Sequence, residues 1–236
     1  TTPAPEEAPT LVQPNNATYG TDANLAPSAP DAIWRYADHP RGFAELRLPQ
    51  GEGPFPLAVI YHGGCWKTGI ASQAYMAPLA TRWQQLGIAT LNVDYREVGD
   101  GGGWPGSFTD WAASAKLVGE VAAKYPIDRA RVTLVGHSAG GVVARMALVR
   151  DQAAGVTRLI TIASPHLGTE RALQALDATH EGGPVGFVKD IFGGRDYYAV
   201  KDSWPVLLDL SPAVPGSALY WLNTQPHPRI QYVSLV

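Results

Sequence analysis

Residues 135–141, VGHSAGG, contain the side chain best suited to chemistry, Ser138. The serine is flanked at one residue's distance by Gly136 and Gly140, where an apolar run meets a Gly-rich turn. A G-x-S-x-G pattern between a strand and a helix is typical of a sharp turn that exposes a nucleophilic serine. The flanking glycines are needed because such a turn leaves little room for a Cβ. The other interpretation is a serine that only caps the following helix.

A second motif, YHGGCWKTG at residues 61–69, follows an earlier apolar run. Acyl transfer requires backbone N–H groups directed at the oxyanion of the tetrahedral intermediate. An HGG-type loop after the third strand supplies such donors, together with the N–H of the residue after the nucleophile. The predicted oxyanion donors are therefore the N–H groups of Gly64, Cys65 and Ala139. The alternative is a plain Gly-Gly turn.

Three side chains near these motifs are candidates for substrate binding, namely His62, Trp66 and Trp104. His62 is expected to orient the HGG loop rather than to act as a base. The two tryptophans are candidates for the wall of an acyl or alcohol pocket, although large aromatic side chains more often pack in a core. A single cysteine and scattered histidines give no metal-ligand spacing, and no glycine-rich nucleotide motif is present. Neither a metal nor a cofactor is expected.

The sequence offers two candidate bases and several candidate acids for the activation of Ser138. His227, in TQPHPR, and His166, in SPHLGT, are the candidate bases, although each sits where a histidine more often packs or is solvated. His180 lies in a polar stretch. Among the acidic residues that follow the serine, the candidate acids are Asp177, Asp196, Asp202 and Asp209, and none of them is placed by a motif.

Alternating strand and helix patterns surround the two motifs. Apolar or alternating runs predict strands at 43–48, 56–62, 88–95, 130–137, 157–164 and 229–236. Helical spacing predicts helices at 72–87, 107–125 and 139–150. This alternation implies right-handed βαβ units, and hence an α/β fold with a mostly parallel sheet flanked by helices.

The alternation of strand and helix patterns is absent from the first 30 residues and is interrupted after residue 164. Residues 165–229 are rich in Gly, Pro and aromatics and carry no convincing strand, which predicts a cap or lid of short helices over the sheet. Residues 1–30 form a Pro-rich segment that predicts a flexible tail, and residues 31–236 form one domain that includes the cap. The start lacks an initiator Met and a signal sequence, which favours a secreted or periplasmic chain whose signal has been removed over an arbitrary boundary.

Composition restricts the partners. The formal net charge of the 236 residues is -3, and no basic stripe stands out, so nucleic acid is not an expected partner. No apolar run approaches the ~20 residues of a membrane span. The oligomeric state is open, and the expected partner is a small-molecule or lipid substrate.

The quoted motifs, taken together, resemble the α/β-hydrolase superfamily. AELRLP, HGGCW, MAPLA, VDYR and VGHSAGG resemble bacterial carboxylesterases and formamidase-like hydrolases, whereas VVARMALVR, IASPHLGTE and LLDLSP resemble bacterial triacylglycerol lipases. The resemblance implies that Ser138 cleaves carboxylic esters through an acyl-enzyme. Alternatives are an arylformamidase or amidase and a non-catalytic binding module on the same fold. In this superfamily the acid and the histidine follow later strands, so they are expected beyond Val236 of a truncated chain or from another chain.

Overall fold

Seven strands form a single sheet in a computed structural model of the protein, which describes residues 25–150, 155–170, 172, 208–212 and 215–236. Within these residues the strands are β1 (Ala32–Arg35), β2 (Phe43–Arg47), β3 (Phe55–Tyr61), β4 (Ala89–Val93), β5 (Ile127–His137), β6 (Val156–Ile162) and β7 (Gln231–Leu235). Their spatial order is β1-β2-β4-β3-β5-β6-β7. The pairs β1–β2 and β2–β4 are antiparallel and the other neighbours are parallel. The predicted fold class is therefore confirmed.

Helices cover both faces of this sheet. In the described ranges they are α1 (Gln73–Gln85), α2 (Gly106–Ala115), α3 (Leu117–Lys124), α4 (Ala139–Arg150) and α5 (Ala218–Thr224). Along β3, Leu57 and Val59 pack in the cluster that includes α2, α3 and α4, whereas Ala58 and Ile60 pack against α1. A strand covered on both faces needs apolar residues at every position, which explains the uninterrupted apolar run of β3.

Most predicted elements match the observed ones within two or three residues, but two do not. Strand β1 was not predicted, because its four residues lack a clear alternation. The single helix predicted for 107–125 is divided into α2 and α3 around Lys116. There the N–H of Lys116 bonds the carbonyl of Ala113, and the N–H of Gly119 bonds that of Lys116. These i→i−3 bonds tighten the helix locally into a 3₁₀-like turn.

The predicted tail and cap lie largely outside the described residues. Residues 1–24, 151–154, 171, 173–207 and 213–214 are not described, so the mobile cap stays a prediction. The tail predicted to reach residue 30 meets the domain earlier. The Ser28 hydroxyl donates to Gln84 Oε1 at 2.7 Å, and the Ser28 N–H donates to Thr81 Oγ1 at 2.9 Å. Ser28 is therefore attached to α1.

Helix α4 packs against β3 at a distance that excludes a side chain. A Cβ added at Gly140 would overlap the carbonyl oxygens of Tyr61 and His62, and one added at Gly136 would overlap the backbone of Gly140. Glycine at these positions lets the start of α4 lie directly against the ends of β3 and β5. This contact places the serine motif and the HGG loop side by side.

Replacing Gly140 by alanine should therefore destabilise the protein strongly. We expect a loss of about 3 kcal/mol or more in the free energy of unfolding, since backbone atoms cannot yield as flexible side chains do. The matched control is Gly119→Ala in α3, where an added Cβ has no atom within 4 Å. That variant should gain roughly 0.5–1 kcal/mol from helix propensity. Urea unfolding of both variants tests the contact, and equal stabilities would contradict it.

Candidate active site

Ser138 lies in a strained turn between β5 and α4. Its φ is 54°, in the left-handed region that serine rarely adopts. The Ser138 N–H donates to the carbonyl of Ile162 at 2.7 Å, and its carbonyl accepts from the N–H of Gly141 at 3.0 Å. Its side chain is part-exposed, and no described residue hydrogen-bonds to its Oγ. The turn thus holds a hydroxyl in an accessible and fixed position.

The HGG loop after β3 runs beside this serine. A Cβ added at Gly63 would lie 3.1 Å from the Cβ of Ser138. The next three residues, Gly64, Cys65 and Trp66, have φ values of 89°, 52° and 40°. Three successive left-handed residues, two of them with side chains, are strained and persist only where surrounding contacts fix them.

The N–H groups of the three predicted oxyanion donors have no hydrogen-bond acceptor among the described residues. Within the part of the chain that the structure describes, the amides of Gly64, Cys65 and Ala139 donate no hydrogen bond. Ala139 is also the first residue of α4, where the helix dipole places partial positive charge. These features suit a small anionic oxygen, although their assignment as an oxyanion hole stays a prediction.

His62 and Trp66, the predicted substrate-binding residues beside the oxyanion donors, both have buried side chains, and their role in substrate binding stays a prediction. His62 is fully buried and stacks on Tyr95, with ring centroids 4.2 Å apart and planes inclined by 6°. The hydroxyl of Tyr95 donates to the carbonyl of His62 at 2.8 Å. The ring of Trp66 is 1% exposed and packs edge-on against Trp111. Both side chains therefore support the HGG loop from inside.

Trp104, in contrast, is 76% exposed and borders a cavity of about 540 Å³. The described residues that line this cavity are Trp104, Phe108, Met146, Arg150, Asp209, Gly216, Ser217, Ala218 and Trp221. Met146 lies eight residues beyond Ser138 on α4, which corresponds to about 12 Å along a helix axis. The aromatic wall suits an elongated apolar group.

The two candidate bases both contact Arg145, and no described hydrogen bond joins either ring to Ser138. The guanidinium of Arg145 donates to Nε2 of His227 at 3.0 Å and lies 3.2 Å from Nδ1 of His166. The second ring nitrogen of His227 faces the carbonyl of Gln225 at 2.9 Å, and that of His166 faces Oγ1 of Thr161 at 3.0 Å. Every ring nitrogen is thus engaged. Their assignment as candidate bases stays a prediction.

Burial and the neighbouring Arg145 charge keep both imidazoles neutral. These two causes, burial first, lower the pKa of His166 from 6.5 to about 4 and also lower that of His227. A neutral ring is required, because each accepts a hydrogen bond from a cation. Sequence analysis did not find this cluster, since its members lie 21 and 82 residues from Arg145.

The candidate acids are also incompletely placed. Asp177, Asp196 and Asp202, with His180, lie outside the described residues. Asp209 accepts from the N–H of Ala218 at 3.4 Å, and burial raises its pKa. No carboxylate is therefore assigned as the acid.

The protein has the fold of an α/β-hydrolase, as defined by the order of its strands together with the strained turn at Ser138 and the HGG loop. Residues 45–203, more than half of the chain, match the family model described as BD-FAE, and the chain belongs to this family. No curated protein matches the sequence.

Solved structures of esterases share the fold. The structure titled Bacterial Heroin Esterase has a TM-score of 0.54 and 22% identity over 75% of this chain and 54% of its own. The propionate-bound esterase 2 of Thermogutta terrifontis has a TM-score of 0.51 and 16% identity over 86% and 82%. The Pyrobaculum calidifontis esterase has a TM-score of 0.50 and 22% identity over 76% and 54%. The chain thus spans about half the length of the first and third of these proteins. At such identities the likeness establishes the fold.

No described helix has both the length and the apolar character of a membrane span. No three His, Cys, Asp or Glu side chains in the described ranges are grouped to hold a metal ion.

The Arg145 cluster predicts a loss of stability in acid. Because the unfolded chain takes up protons near pH 6.5 and folded His166 only near pH 4, stability should be complete above about pH 6.5 and should fall as the pH falls towards 4. Urea unfolding at a series of pH values measures this loss. In His166→Gln, which keeps an acceptor for Arg145 without the titration, the loss should be smaller. Parallel curves for the two proteins would contradict the assignment.

Proposed function

We propose that the protein is a serine hydrolase that cleaves carboxylic esters, with Ser138 as nucleophile. The observation that carries the proposal is the strained, accessible Ser138 beside three backbone N–H groups that donate no hydrogen bond to any described residue. Backbone strain of this kind is concentrated at functional sites, because a fold retains it only where surrounding contacts hold it in place. The esterase folds of the similar structures support the same reaction class.

The proposed chemistry is acyl transfer in two steps. The Ser138 Oγ attacks the ester carbonyl carbon while a base accepts its proton, and the carbonyl oxygen becomes an oxyanion held by the N–H groups of Gly64, Cys65 and Ala139. The C–O bond to the alcohol then breaks, and the alcohol leaves with a proton. Water attacks the acyl-enzyme by the same route and releases the carboxylic acid. The base is not among the described contacts of Ser138.

Two alternatives use the same site. An arylformamidase or amidase would use the same Ser138 and the same N–H donors to cleave a C–N bond. The relative turnover of ester and formamide substrates distinguishes these activities from ester hydrolysis. A non-catalytic binding module is favoured by one observation: among the described residues, no imidazole hydrogen-bonds to Ser138 Oγ. Reaction with a fluorophosphonate separates it from an enzyme, because a serine without a base reacts slowly.

Ser138→Ala should abolish hydrolysis and leave the fold intact. We expect kcat/KM for p-nitrophenyl esters to fall on the order of 10³-fold or more, with loss of fluorophosphonate labelling and unchanged thermal stability. The control is Ser234→Ala, which removes an exposed hydroxyl from β7. Wild-type turnover by Ser138→Ala would exclude the proposed nucleophile. Absence of labelling in the wild-type protein would favour the binding module.

Trp104 tests whether the cavity accepts part of the substrate. Trp104→Ala should raise KM for long-chain esters roughly three- to tenfold, because a partly exposed aromatic wall contributes about 1 kcal/mol of apolar burial. Acetate esters, which do not reach the cavity, should be hydrolysed as by the wild type. Ile33→Ala removes a similarly exposed side chain from β1 and should change neither KM. An equal rise in KM for both substrates would contradict a role in chain-length preference.

A further inference from the structure

Beneath the HGG loop, one cation lies among three carboxylates. Arg41, in the turn between β1 and β2, has guanidinium nitrogens 3.2 Å from Asp94, 2.9 Å from Glu97 and 3.2 Å from Asp100. Asp94 is 5% exposed and Glu97 is fully buried, whereas Asp100 is partly exposed. The guanidinium therefore links the segment that follows β4 to the β1–β2 turn.

This acidic segment is bonded to the backbone of the HGG loop. The N–H of Val98 donates to the carbonyl of Trp66 at 2.8 Å, and the N–H of Thr68 donates to the carbonyl of Val98 at 3.0 Å. At the other end of the loop, Nε2 of His62 lies 3.3 Å from Oδ1 of Asp94. A displacement of residues 94–98 would thus move the loop that carries Gly64 and Cys65.

Glu97 is the least satisfied group in this network. Neither of its buried oxygens accepts a hydrogen bond of good geometry, although Arg41 is close. Burial raises its pKa from 4.5 to about 8; Asp94 and Asp100 raise it as well, whereas Arg41 lowers it. The carboxyl is therefore largely neutral at pH 7, and Arg41 is left to balance the two aspartates.

We propose that Arg41 and Glu97 are positioning residues for the HGG loop, and that ionisation of Glu97 loosens it. A third negative charge beside one guanidinium repels the carboxylates of Asp94 and Asp100 and favours solvent entry at residue 97. The attached loop then loses its fixed left-handed conformation, and its N–H groups lose their alignment. The catalytic consequence rests on the proposed esterase function, whereas the structural consequence does not.

The first experiment measures kcat against pH for wild-type, Glu97→Gln and Glu52→Gln proteins. Wild-type kcat should fall about tenfold from pH 7 to pH 9, in proportion to the protonated fraction of a group with a pKa near 8. Glu97→Gln, which mimics the neutral acid, should fall by less than about twofold over the same range. Glu52→Gln changes an exposed glutamate elsewhere and should follow the wild type. A parallel fall in Glu97→Gln would overturn the proposal.

The second experiment reads the loop without any activity. Cys65 is the chain's one cysteine, so its rate of modification by a maleimide reports opening of the HGG loop. Its own thiol titrates in every variant, so the informative quantity is the ratio of wild-type to Glu97→Gln rates. This ratio should rise about threefold or more from pH 7 to pH 9. A constant ratio would overturn the proposal, even if the protein proves not to be an esterase.

Arg41→Lys provides a variant independent of Glu97. Lysine keeps the charge but cannot bond three carboxylates as a planar guanidinium does. At pH 7 we expect kcat to fall about tenfold with KM nearly unchanged, because binding surfaces remain while the donors are misaligned. Faster maleimide reaction at Cys65 should accompany this fall. If Arg41→Lys keeps the kcat and the Cys65 reactivity of the wild type, a positioning role for Arg41 is rejected.

Discussion

The close contact between the start of α4 and the carboxyl end of β3 sets the geometry on which the candidate site depends. Gly140 faces the carbonyls of Tyr61 and His62 with no side chain between them. Because the helix begins directly after Ser138, its distance from β3 also fixes the distance between the serine and the HGG loop. Misplacement by about 1 Å costs an enzyme roughly a hundredfold in rate. The close contact at Gly140 therefore governs how Ser138, which follows β5, is aligned with the HGG loop, which follows β3.

Strain in the site is balanced by contacts outside it. Ser138 is held by the carbonyl of Ile162 in the neighbouring strand, and Trp66 by a buried aromatic cluster. His62 stacks on Tyr95 below the same loop. Ser138 and Trp66, two of the left-handed residues, are thus fixed by their neighbours, as strained backbone requires. The surroundings of the site, and not the site residues alone, maintain its shape.

Sequence patterns predicted the parts of the protein that are determined locally. Apolar runs located six of the seven described strands, and G-x-S-x-G placed Ser138 between β5 and α4 because strand, turn and helix are consecutive. Partners distant in the chain were not predictable. Arg41 lies 53 residues from Asp94, and no local pattern shows that they meet. Burial of His62 and Trp66 was missed for the same reason, since it depends on Tyr95 and Trp111 from other elements.

The backbone of Ser138 has a consequence for selection on this chain. Its φ of 54° is a conformation that glycine adopts freely and that costs a residue with a Cβ about 1–2 kcal/mol. Selection for thermal robustness alone would favour a glycine here and would remove the hydroxyl. Marginal stability makes such a cost appreciable for a domain with only about 5–15 kcal/mol to lose. The serine at this position therefore carries a folding cost that a glycine would avoid.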